Sequence, residues 1–191
     1  MRFLLLLSAV LLSACGGGPP QPAWQANAKY SLDSFQQAYL RGDTRVAEVE
    51  FERAKAELAS TGNAPLVARA ELVRCATRAA SLEFDNCPGF EKLRPDASAE
   101  ELAYADFLSG KNERKGTDDP LSRLVAHGVK FNSGKATPEN ISAAVDISSS
   151  QGWRRPLLAW LGVQEMRAEA AGDREALERI RRRIALVSGK G

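Results

Sequence analysis

The chain reads as an all-α protein of about eight helices in antiparallel hairpins, forming a short array or an irregular bundle. From Trp24 onward, apolar residues recur at intervals of three and four in one segment after another, which places them along one face of a helix. Helix-starting residues and helix-stopping glycines bracket those segments. No segment shows sustained period-two alternation with flanking turn chemistry, so no sheet is expected.

The first element is a leader. Arg2 supplies a positive charge, an apolar run broken only by Ser8 extends to Leu12, and small residues precede Cys15, which is the layout of a secretory signal. A spanning helix needs about 20 apolar residues. This run gives way sooner, to Gly16, Gly17, Gly18, Pro19 and Pro20. Leu12-Ser13-Ala14-Cys15 resembles the lipobox of bacterial lipoproteins. That resemblance implies a diacylglyceryl group on the Cys15 thiol, cleavage just before Cys15 and acylation of the new amine. Residues 1–14 are then a removed signal peptide, residues 15–23 a lipidated Cys with a Gly- and Pro-rich tether, and residues 24–191 one helical domain. One acyl chain binds a membrane marginally and two signals bind it stably. Gly16 stands where an Asp favours inner-membrane retention in such lipoproteins, so the resemblance implies the periplasmic face of an outer membrane.

Trp24, Ala28, Leu32, Phe35 and Tyr39 line the first helix, which Gly42-Asp43 ends. Asp43 or Thr44 caps the second, whose stripe is Ala47, Phe51, Ala54 and Leu58, ending at Thr61-Gly62-Asn63. So short a turn makes the two an antiparallel hairpin. Gly42-Asp43 with Ala47, Phe51 and Ala54 resembles the second half of a tetratricopeptide repeat. Pro65 opens a third helix with a broad apolar surface, Leu66, Ala70, Leu72, Val73, Ala76 and Ala80 among it, running to about Phe84 and expected to be central. Ser98-Ala99-Glu100-Glu101 is a capping-box pattern ahead of Leu102, Ala103 and Phe107, and Ser109-Gly110 stops that helix. Residues 111–119 are polar and aperiodic, the pattern of a surface loop.

Asp119-Pro120 starts a helix with Leu121, Leu124, Val125 and Val129, broken at Asn132-Ser133-Gly134. Thr137-Pro138-Glu139 begins another with Ile141, Ala144 and Val145. The last pair is apolar on several sides through Leu157, Leu158, Trp160, Leu161, Val163 and Met166, then striped by Leu177, Ile180, Ile184 and Val187. Gly172-Asp173 joins the two, a second hairpin that resembles a tetratricopeptide unit.

The 26 Lys and Arg residues against 24 Asp and Glu leave no strong field, which argues against nucleic acid as a partner. With Cys15 assigned to lipid, Cys75 and Cys87 remain an even pair in an oxidising compartment, and a disulfide is expected. A helix reaching Phe84 would carry the chain about 13 Å from Cys75. The chain must then double straight back, and Asp85-Asn86-Cys87-Pro88-Gly89 has the turn chemistry to do so.

Chemistry is sparse. A single histidine removes His-His metal sites, and no cofactor or metal is expected. His127 is read as lying at the end of a helix against its final carbonyls rather than as catalytic. The motifs G-x-S-x-G, S-x-x-K and H-E-x-x-H are missing, and Glu100-Glu101 and Asp118-Asp119 sit where helix starts favour negative charge. A non-enzymatic role is therefore expected. The sharpest surface feature is the run of Arg179, Arg181, Arg182 and Arg183, a candidate basic contact surface through Arg179, Arg182 and Arg183, joined by Arg154 and Arg155 if these lie nearby. The whole reads as an outer-membrane-anchored helical-repeat scaffold or adaptor with an envelope protein partner. The alternatives are a cell-wall-active hydrolase, which needs two opposed carboxylates, and a purely structural envelope lipoprotein.

Overall fold

The computed structural model describes residues 22–114 and 116–189. The proposed leader, Cys15 and the tether up to residue 21 lie outside the described residues. Helices α1 (Ala23–Arg41), α2 (Thr44–Ala59) and α3 (Ala64–Ala80) are followed by the single-turn α4 (Pro88–Glu91) and a 3-10 turn at Arg94–Asp96. Then come α5 (Ala99–Leu108), α6 (Pro120–Asn132), α7 (Pro138–Ser150), α8 (Arg154–Ala170) and α9 (Arg174–Ser188). The fold is all-α, with no strand among the described residues.

Side-chain caps explain most of the helix starts. Asp43, Asn63, Asp119 and Asp173 accept the backbone N–H three residues on, and Ser98 and Thr137 form reciprocal capping boxes with Glu101 and Asn140. Each satisfies N–H groups that the first helical turn leaves without a partner. Pro65, Pro120 and Pro138 occupy first turns, where their missing N–H costs nothing.

The third helix ends at Ala80, four residues before the expected Phe84. The Leu82 N–H bonds the Ala79 carbonyl and the Glu83 N–H bonds that of Arg78, with Leu82 at φ +60°. This is a Schellman stop whose left-handed position, usually glycine, holds a leucine. Leucine is no stop signal in a sequence; here its side chain packs on the core formed by α6, α7 and α8. The early stop gives the chain six residues, 81–86, in which to reach Cys87. Cys75 and Cys87 form a disulfide with their Cα atoms 5.8 Å apart. Asp85 shapes the return by accepting the Cys87 N–H at 2.9 Å and pairing with Arg78 at 2.8 Å. Closing so short a loop is worth about 3 kcal/mol in the chain-entropy model.

Helix α3 is the hub. Val67 and Ala70 pack with Phe35, Tyr39 and Phe51 of the α1–α2 hairpin. Ala68 and Leu72 meet Phe90 and Ala105, and Ala76 and Ala80 meet Leu124, Val125, Val145 and Trp160. Small residues on α3 let its neighbours come close. A Cβ on Gly128 of α6 would lie 2.2 Å from the Ala79 carbonyl oxygen. The Trp160 indole N–H of α8 donates to the next carbonyl, Ala80, at 3.1 Å. Helix α8 also reaches back to the start of the chain. Arg155 donates to the Tyr39 carbonyl at 2.7 Å and the Thr44 hydroxyl at 2.6 Å, and its guanidinium lies 4.1 Å over the Tyr39 ring. Contacts between α1 and α8 close the helices into an irregular bundle; in a linear array each hairpin would meet only its sequence neighbours. Of the apolar residues on several sides of α8, Met166 is 61% exposed, about 140° round the helix from the buried Leu161.

Two glycines inside helices carry opposite expectations. Gly128→Ala drives a methyl into the Ala79 carbonyl and lowers stability by about 1–3 kcal/mol. Gly162→Ala in α8 meets nothing within 4 Å and raises stability by about 0.5–1 kcal/mol. Chemical-denaturation midpoints of the two variants check both signs.

Candidate functional site

Helices α5 and α6 both pack on α3, and far less on each other. Between them lies a groove of about 650 Å³, inside the range of roughly 300–1,000 Å³ usual for small-molecule sites. Its floor includes Leu72 and Val73 of α3, Phe107 of α5 and Ala126 of α6. Tyr104 lines the α5 wall. Arg123, His127 and Lys130, spaced by four and three, line the α6 wall, and Arg114 of the α5–α6 loop completes the rim.

The charges at the two ends differ. Arg69 of α3 donates to Glu101 Oε1 from Nε at 2.9 Å and from a terminal nitrogen at 2.7 Å, and it also reaches Glu100 at 3.0 Å. Glu101 is only 2% exposed and accepts from the Ser98 N–H at 3.1 Å and from the Ser98 hydroxyl. Burial pushes the Glu101 carboxyl up, but the hydrogen bonds from Ser98 and Arg69 and the Arg69 charge outweigh it and hold the group below the usual carboxylate range. Arg114, Arg123 and Lys130, by contrast, form no ion pair among the described residues. The Arg114 guanidinium lies 4.8 Å over the Tyr104 ring, a cation–π contact. Burial, with Lys130 and Arg123 adding to it, pushes the His127 imidazole below its usual value. Its Nδ1 is buried with no hydrogen-bond partner among the described residues.

His127 is not at a helix end: α6 runs on through the buried Gly128 to Asn132, so the imidazole does not meet the final carbonyls. None of its described contacts supplies the oriented carboxylate and nucleophile of a triad. Glu101 and Asp119 cap α5 and α6, the role expected of both acidic pairs. On α9, Arg179 pairs with Glu175, and Arg182 with Glu178 at 3.8 Å, while Arg183 lines a shallow cleft with Arg167 and Ile180. Arg155 is turned to Tyr39 and Thr44, and with Arg154 it lines a cleft that reaches Ser188 at the end of α9. Cys75, Asp85 and Cys87 are grouped closely enough to suggest a metal site, but both sulfurs are consumed by the disulfide.

Among the described residues no helix is long and apolar enough to cross a membrane. Comparison with protein-family models, curated proteins and solved structures finds no match.

Two ionisations of the groove contribute to the acid side of the stability curve. The lowered His127 value means that the unfolded chain takes up a proton first, so its contribution is full above about pH 6.5 and is lost as pH falls through the lower folded value. His127→Gln flattens that part of the curve. The lowered Glu101 value likewise contributes above about pH 4.3 and is lost on further acidification. Arg69→Ala therefore costs about 2 kcal/mol near neutral pH, and the cost shrinks as Glu101 protonates. Denaturant titrations at a series of pH values read both effects.

Proposed function

We propose that the chain is a lipoprotein of the outer membrane, held at its periplasmic face by lipid on Cys15, whose helical domain is a scaffold or adaptor for an envelope protein partner. The observation that carries this reading is the order Leu12-Ser13-Ala14-Cys15, then Gly16-Gly17-Gly18-Pro19-Pro20, then a helical domain beginning at Ala23. A lipid-bearing cysteine, a short spacer and a folded domain present that domain to the space beside a membrane. The disulfide between Cys75 and Cys87 agrees with an exported, oxidising location. The helices offer exposed faces and a cleft between α7, α8 and α9 of the kind used to hold a partner's peptide or helix. The groove carboxylates Glu100 and Glu101 are both tied to Arg69, which favours the adaptor over a hydrolase working through opposed acids.

Intact-mass measurement of the protein from cells should show loss of residues 1–14 and added lipid, and Cys15→Ala should abolish both. Crosslinking in intact cells should capture an envelope protein with the wild type and much less with Cys15→Ala. Retention of the first fourteen residues overturns the anchor. Hydrolysis of purified cell wall with no captured protein overturns the adaptor.

A further inference from the structure

The groove between α5 and α6 combines an apolar floor with an unbalanced charge, and nothing in the adaptor reading uses that pairing. We infer that it is a binding site for a small, soluble amphiphilic acid, with one anionic head and an apolar body. This goes beyond the adaptor role and stands without it.

The body is specified by size and lining. The 650 Å³ groove has Leu72, Val73, Phe107 and Ala126 beneath it and the Tyr104 ring beside it. Apolar surface with a few convergent polar groups is the usual make-up of a small-molecule site. The head is specified by charge. Arg123 and Lys130 stand about 10 Å apart along α6. His127 sits between them on the same face, and Arg114 faces the groove from the loop. Arg114, Arg123 and Lys130 have no acidic partner among the described residues, which is also true of Arg41, Arg45 and Arg174; what distinguishes the three is that they line one groove. Three like charges around one opening repel each other, and an anion relieves that repulsion.

The same geometry limits the ligand to one acidic head. At the other end of the groove the cation is Arg69, already occupied by Glu101 and Glu100, so a second anionic group there would meet two carboxylates. A soluble acid fits better than a bilayer lipid. The most exposed large apolar side chains, Tyr30, Val46, Val49, Met166 and Leu186, do not line this groove and give it no apolar rim to enter a membrane.

Photolabelling of the full chain in its membrane fraction tests this. The probe is 4-benzoylbenzoate, an aromatic carboxylate, compared with its neutral analogue 4-(hydroxymethyl)benzophenone. The anion should form adducts mapping to α3, α5 and α6, and the neutral compound should show no preference for the groove. The double variant Arg123→Gln with Lys130→Gln should reduce groove labelling by about tenfold or more. Arg114→Gln, on the loop, should reduce it as well. Arg179→Gln with Arg182→Gln removes the same charge from α9 and should leave labelling unchanged. Circular-dichroism melts confirm that each variant is folded. Excess octanoate should displace the probe and phosphatidylglycerol vesicles should not. Adducts away from the groove, equal groove labelling by the neutral analogue, undiminished labelling of folded groove variants, or displacement by vesicles alone would each overturn the inference.

Discussion

The constraint on which the rest of the bundle depends is the close approach of α6 to the C-terminal end of α3. Gly128 sets its backbone against the Ala79 carbonyl, and the Trp160 N–H occupies the next carbonyl along. The Ala79 carbonyl accepts the Leu82 N–H of the Schellman stop, and the Ala80 carbonyl, which the end of the helix leaves without an intrahelical donor, takes the Trp160 N–H. With both carbonyls supplied with donors, the missing side chain at Gly128 lets the α6 backbone come close. The Schellman stop at Leu82 follows from the same crowding: an α3 continuing to Phe84 would lack the turn that sends the chain back to Cys87.

Once α6 is fixed against α3, the groove follows. Helices α5 and α6 leave the hub at different places, and the polar loop between them has no apolar stripe with which to fill the space. The capping-box glutamate of α5 then serves twice, holding the start of its own helix and receiving Arg69 from α3. That shared carboxylate neutralises one end and leaves the cations of α6 and the loop to define the other. The asymmetry thus comes from helix capping as much as from any arrangement made for a ligand.

A second tie is Arg155. Its guanidinium spans from α8 to the turn between α1 and α2 and covers the Tyr39 ring. Such a planar group can stack and donate in several directions at once, which a lysine could not. It joins the start of α8 to the α1–α2 turn and, with the other α1–α8 contacts, makes two hairpins with the same Gly-Asp turn parts of one bundle. The α9 helix, packed chiefly on α8 and with no fully buried residue, keeps the exposed, charge-matched face that its amphipathic stripe implies.

Much of this was legible from local chemistry. Period-three-and-four stripes, the Asp, Asn, Ser and Thr caps, the first-turn prolines and the Gly-Asp hairpins lie within a few residues of the structure they specify, so the sequence alone determined the all-α class, the helix order and nearly every boundary. The pairing of Cys75 with Cys87 was expected on the proposal that Cys15 carries lipid, which leaves two thiols to join. Other features answer to distant residues and had no local signal: the stop at Leu82, the seat of Gly128 on α3 and the inward role of Arg155; the place of His127 inside α6, by contrast, was readable from Val129 and the break at Asn132-Ser133-Gly134. The groove belongs with these. Its residues run from Arg69 to Ala143 and become neighbours only when separate helices pack on one hub, and which cations keep a partner is decided by that packing, because ion pairing depends on distance in space rather than along the chain.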